Sequence, residues 1–234
     1  MKIGLAPYKF KNNDIGFNLS QIEKAMSSVQ GKVDLLCFGE TFLQGFDALS
    51  WEYEKDKDIA VSLDSPIMLR LCELTRHYGV DLLLGYLEKD SDCIYSSCAV
   101  LERGKIAHNY RRISKGWKEP IADEHYKEGQ ETREFLYRGR QFQLALCGDL
   151  WDFPERFKTD HMLLWAIYVN FTLEDWKGYE MEYAAQAQLA AKQTLLVNSI
   201  SDDPKAHGGA FYFVDGEIER RVAYDQEEIL IVEV

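Results

Sequence analysis

Three places in the chain put a reactive side chain where an ordered run gives way to a loop. Glu40 closes the apolar stretch "VDLLCFGE", and Cys147 closes "QFQLALC". A third stretch, "KIAHNYRRISKGW", brings Tyr110, Arg111, Arg112 and Lys115 to the end of a polar strand. In open α/β sheets, ligands bind outside the carboxyl ends of the strands. A carboxylate, a thiol and a cation meeting there suit acyl transfer through a thioester. The carboxylate takes the thiol proton, the sulfur attacks, and the cation with a backbone N–H steadies the oxyanion. Taken singly, each residue has a plainer role: a buried small thiol, a solvated carboxylate, a basic edge.

The elements that must position these residues follow from the hydrophobic pattern. "KIGLAP", "DLLCFGE", "VDLLLGYLE", "YSSCAVLER", "QFQLALC", "LLWAIYVNF", "TLLVNSI", "GGAFYFV" and "EEILIVEV" read as strands, several of them continuous apolar runs that suit sheets covered on both faces. Between them, Leu19, Ile22, Ala25, Met26 and Val29 recur at helical spacing before Gly31. "SPIMLRLCELTRHYG" opens on a Ser-Pro cap pair and stops at Gly79. "YEMEYAAQAQLAAKQ" carries Ala184, Ala187 and Ala191 on a face small enough to lie close to a sheet. The class is α/β with mixed strand directions. No linker or repeat divides residues 1–234, so one domain is expected. Trp117, Trp151, Phe171 and Trp176 fall in stretches read as rim loops and are candidates to line a substrate pocket.

Composition narrows the partners. Apolar residues make up 46% and charged residues 28%, an ordinary globular balance. With 27 basic and 39 acidic residues the net charge is −12, which disfavours nucleic acid and anionic membrane. The opening "MKIGLAPYKF" has too short an apolar run for a secretory h-region, and no run nears the roughly 18 apolar residues of a membrane span. The five cysteines are odd in number and lack metal-site spacing, and the five histidines are scattered, so free thiols, a cytoplasmic setting and no metal or other cofactor are expected.

The order of these segments resembles the nitrilase superfamily of carbon–nitrogen hydrolases, in an amidase-like form. "LLCFGETFLQGF" is similar to the family's strand ending in a glutamate, "YRRISKGW" to its Tyr-Arg-Lys segment, and "CGDLWDFPE" to its Cys-x-Asp-x-x-x-Pro-Glu element. "HGGAFYFVDGEI" and the closing "EEILIVEV" stand where the family has its glycine-rich and terminal strands. The resemblance implies a four-layer α-β-β-α sandwich, with Glu40 as general base and Cys147 as nucleophile. Glu124, in "ADEHYKEG", corresponds to a second, supporting glutamate. It also implies a small amide or N-carbamoyl substrate and a homodimer.

One position departs from the family. The lysine of Tyr-Arg-Lys is Arg112 here, which keeps the charge but is planar and effectively never deprotonated. Lys115, three residues on, is the other candidate for the ammonium if the backbone turns after Ile113. The rival reading of the chain is a catalytically impaired member that serves as a binding or assembly module.

Overall fold

The short strand β2 (Leu35–Cys37) shows how the two sides of a sheet are divided in this protein, whose computed structural model describes residues 1–234. Leu35 and Cys37 pack into one cluster with Leu144, Leu163 and Val197, whereas Leu36 packs with Ile22, Met26 and Leu71. Successive strand side chains point to opposite faces. One face of this sheet therefore meets another sheet, and the other meets helices.

The first sheet joins β2 to β1 (Lys2–Leu5), β3 (Asp81–Asp90), β4 (Cys93–Glu102), β5 (Lys105–Arg111) and β12 (Leu230–Glu233), in the order β12-β1-β2-β3-β4-β5. The second contains β6 (Phe135–Tyr137), β7 (Arg140–Leu146), β8 (Met162–Ile167), β9 (Gln193–Asp202), β10 (Lys205–Val214) and β11 (Glu217–Arg221), in the order β11-β10-β9-β8-β7-β6. Each sheet has a parallel centre, β1-β2-β3 in one and β7-β8-β9 in the other, flanked by antiparallel strands. The mixed directions expected from the sequence are present.

Helices α1 (Ile15–Val29) and α3 (Pro66–Tyr78) bury Ile22, Ala25, Met26, Met68 and Leu71 against the first sheet, while α5 (Leu173–Gln188) lays Tyr183, Ala184 and Ala187 on the second. Two single-turn helices, α2 (Tyr53–Asp56) and α4 (Asp149–Asp152), complete the set. The layers run helix, sheet, sheet, helix, which is the expected sandwich. No helix is long and apolar enough to cross a membrane.

Helix ends follow their caps. Ser65 accepts from the Met68 N–H, Pro66 occupies the first turn, and Gly79 closes α3 at φ +65°, a conformation glycine adopts without strain. Helix α5 starts earlier than the alanine pattern suggests, because Thr172 and Asp175 cap each other reciprocally. That early start corrects one expectation. Trp176 is not on a rim loop but on α5, fully buried and stacked on Tyr224 with ring centroids 5.4 Å apart. The helix also stops at Gln188, short of Ala191. Strands β6 and β11 were not anticipated.

Candidate active site

Glu40 does not lie in β2 but three residues past its end, on a turn that bridges the sheets. Its N–H donates to the Ile167 carbonyl of the second sheet over 3.2 Å, while Phe38 N–H donates to Leu83 of the first. Gly39 makes the crossing possible, since a Cβ there would sit 2.7 Å from the Ile167 oxygen. The Glu40 side chain is fully buried. Its Oε1 accepts from Ser96 Oγ at 2.7 Å and from Arg112 Nη1 at 2.9 Å, and its equally buried Oε2 has no partner.

Arg112 follows the last residue of β5. Its backbone N–H is tied to the Ser96 carbonyl at 2.9 Å, and its own carbonyl accepts from Gly129 N–H at 2.7 Å. The guanidinium is 2% exposed, donates from Nε to Ser114 Oγ at 2.7 Å, and leaves Nη2 without a protein acceptor. Burial opposes its charge, but the neighbouring Glu40, Cys147 and Asp149 outweigh burial and raise its pKa above the ordinary arginine value. Pairing with an opposite charge is what lets such groups be buried, and here one oxygen of Glu40 and Nη2 of Arg112 are left without protein partners.

Cys147 sits where β7 ends and α4 begins. Its φ of +36° places it in the left-handed region, a sharp turn for a residue with a side chain. Its N–H donates to Ala166 at 3.0 Å, and its carbonyl accepts from Trp165 Nε1 at 2.9 Å. The residue is half-buried, and its sulfur lies 3.6 Å from the Tyr168 carbonyl oxygen, which it approaches as donor. Burial, then the charge of Glu40, push the thiol up to about 12 against the opposing pull of Arg112. The resting group is therefore a thiol and needs a base to become a nucleophile. Gly148, next in the chain, has a backbone N–H with no protein acceptor.

Asp149 joins the two halves of this arrangement. Its Oδ1 accepts from the N–H groups of Ile113 at 3.0 Å and Ser114 at 2.8 Å; its Oδ2 accepts from Leu146 N–H at 2.9 Å and Tyr110 Oη at 2.7 Å. Burial pushes this carboxyl above the usual range, and Arg112 and the donors Tyr110, Leu146 and Ser114 counter that push.

The structure thus brings Glu40 and Arg112 into contact and places Cys147 close enough for both charges to act on its thiol. Lys115 and Glu124 are exposed and make no ion pair. Trp117 is buried beside Leu49, Ile94 and Tyr126; Trp151 is on α4, 40% exposed against Tyr183; Phe171 is half-buried beside Trp176 and Tyr179. Two surface clefts, of about 520 and 620 Å³, do not include Glu40, Arg112 or Cys147 in their linings, though Tyr110 and Arg111 line the first. No group of three His, Cys, Asp or Glu side chains is arranged to hold a metal ion. Sequence reasoning missed Ser96, Ser114 and Asp149, although Ser114 lay inside "YRRISKGW" and Asp149 inside "CGDLWDFPE".

Comparison with known proteins adds to this geometry. An (R)-stereoselective amidase of Pseudomonas sp. is 28% identical over 155 residues, covering 66% of this chain and 54% of that protein. The glutamine-dependent NAD(+) synthetase of Thermotoga maritima is 26% identical over 158 residues, covering 65% of this chain and 26% of that protein. This chain thus spans about half or less of the curated relatives it matches. Among solved structures, a CN-hydrolase superfamily protein of Xanthomonas campestris, with an arsenic adduct in its active site, superposes with a TM-score of 0.79 at 16% identity, covering 99% of this chain and 89% of that one. An amidase of Nesterenkonia sp., with acrylamide added at its active-site cysteine, gives 0.78 at 17% identity, covering 100% and 93%. At these identities the structural likeness establishes the four-layer fold. The family model described as carbon-nitrogen hydrolase matches residues 2–159, and the chain belongs to that family.

Proposed function

We propose that this protein hydrolyses the carbon–nitrogen bond of a small amide or N-carbamoyl compound through a thioester on Cys147. The observation that carries this reading is the Glu40 carboxylate. One oxygen is fixed by Ser96 and Arg112, the other is buried and unpartnered, and the charge of the carboxylate acts on a thiol that is protonated at rest.

The steps follow from these groups. Glu40 takes the thiol proton as the sulfur attacks the carbonyl carbon, and the oxygen becomes an oxyanion. Gly148 N–H and Arg112 Nη2, both without protein acceptors, are the donors for it. The C–N bond then breaks, and the leaving ammonia or amine takes its proton back from Glu40. Water, deprotonated by Glu40, attacks the thioester; the acid leaves and the thiol is restored. Arg112 acts by charge and hydrogen bonding and transfers no proton, since a guanidinium holds its proton throughout. Lys115 and Glu124, both exposed, take no part in these steps. Trp117, Trp151 and Phe171 are assigned to the walls of the substrate pocket.

We read residues 1–234 as one domain of a cytoplasmic homodimer without nucleic-acid or membrane partners. The net charge of −12 supports the last point, and the exposed Trp151, Leu173, Tyr179 and Met181 on α4 and α5 offer apolar area to a second copy. Ammonia release from a panel of small amides and N-carbamoyl amino acids tests the activity, with Cys147→Ala as control. Turnover lost in that variant is expected. No turnover on any member by the folded protein would leave the binding-module reading instead.

A further inference from the structure

We infer that Asp149 is a positioning residue: its carboxylate clamps the strand end carrying Arg112 to the turn carrying Cys147. The inference rests on the reaction just proposed but concerns a group that touches no substrate. Glu40, Ser96 and Arg112 belong to the first sheet and its loops, while Cys147 belongs to the second. The sheets meet mainly through side-chain packing, crossed by a few backbone hydrogen bonds such as Glu40 N–H to Ile167 and the Lys9–Ile200 bridge, none of which holds Arg112 against Cys147. Apolar packing is non-directional, whereas a catalytic constellation must hold to about 0.5 Å.

Asp149 supplies that link between Arg112 and Cys147. An ionised carboxylate has about four acceptor sites, and all four are filled. Two are taken by N–H groups one and two residues beyond Arg112, one by the N–H just before Cys147, and one by Tyr110. Ser114, whose N–H is one of these donors, in turn accepts from Arg112 Nε. A shift of the second sheet by a fraction of an ångström would strain bonds on both sides. The same carboxylate faces the Arg112 charge and the Cys147 thiol, so replacing it also alters electrostatics. Tyr110 gives a way to weaken the clamp with every charge kept.

The test measures kcat, KM and melting temperature for wild type, Asp149→Asn and Tyr110→Phe on the best amide of the panel. It also measures the rate at which iodoacetamide alkylates Cys147 in each. The Asn amide turns an acceptor into a donor facing donors, so kcat is expected to fall about 100-fold, the effect of a displacement near 1 Å, with KM changed less than threefold. Tyr110→Phe is expected to lower kcat several-fold in the same pattern. A folded Asp149→Asn that keeps kcat and the alkylation rate within twofold of wild type overturns the inference. If that variant does not fold, a Tyr110→Phe protein with lowered melting temperature and unchanged kcat overturns it equally. Wild-type turnover tests the proposed reaction separately, and the variant-to-wild-type alkylation ratio is read even without turnover.

Discussion

A Cβ placed on Gly148 would lie 2.5 Å from Arg112 Nη2 and 3.1 Å from Ser114 Oγ. The guanidinium thus occupies space that a side chain after the nucleophile would need, and a Cβ on Gly116 would also lie 3.2 Å from Nη2. Arginine at this position and glycine at 148 form a size-matched pair. Gly148→Ala is expected to push Nη2 off the oxyanion position and reduce kcat about 100-fold, as for a displacement near 1 Å. Arg112→Lys removes the planar fork, so the same Ala substitution should cost far less in the lysine background. A double-mutant cycle on kcat/KM reads the coupling. Additive effects would show that Arg112 and Gly148 do not share that space.

Truncating the pair's cation tests its structural weight. Arg112→Ala leaves the Glu40 carboxylate buried and unpaired, and breaking a buried pair costs about 3–5 kcal/mol. For a chain of this size the melting temperature should fall by roughly 6–20 °C, at about 2–4 °C per kcal/mol. Arg112→Lys keeps a charge beside Glu40 and should lose much less. Calorimetry of the two variants decides, and an Ala variant as stable as wild type would show that the Glu40–Arg112 pair carries no structural weight.

The Cys147 thiol sets a pH signature. Burial first, then Glu40, raise it to about 12, so below that value the thiolate fraction grows about tenfold per pH unit. Iodoacetamide alkylation of Cys147, mapped by mass spectrometry, should rise without a plateau from pH 7 to pH 10. Glu40→Gln removes a charge that raises the thiol's pKa and leaves Arg112, which lowers it. The profile should therefore move to lower pH while amide turnover is lost. The folded state keeps the proton that an unfolded cysteine releases near pH 8.5. Stability from this group is thus intact below that pH and declines as pH rises toward about 12. A wild-type plateau near pH 8 would show an unperturbed thiol.

What the chain discloses about itself depends on how local the signal is. Continuous apolar runs such as "LLWAIYVNF" mark buried strands because both faces of each central strand are covered. Strand β11, nearly all exposed charge, and β6, three residues long, carry no such mark; tertiary pairing alone makes them strands. Glu40 and Cys147 were legible because each follows an apolar run. Arg112 and Lys115 stayed rivals because the choice depends on how the backbone leaves β5. The Arg112 N–H and carbonyl are bound to Ser96 and Gly129, and its side chain turns inward while Lys115 is exposed. Asp149 was unreadable as a clamp, since three of its donors lie 35 to 39 residues away.

Trp176 separates a pocket wall from a core residue. As a rim aromatic it would touch substrate; as found, it is fully buried on α5 against Phe211 and Tyr224. Trp176→Ala should cost about 3–5 kcal/mol through the cavity it leaves. The melting temperature should drop by roughly 6–20 °C. Measured well below that temperature, KM should stay at the wild-type value, because the cavity opens between α5 and the outer face of the second sheet rather than beside Cys147. Phe171, half-buried next to it, is the contrasting case: Phe171→Ala should raise KM with a smaller loss of stability. A Trp176→Ala protein of wild-type stability but raised KM would return this tryptophan to the pocket.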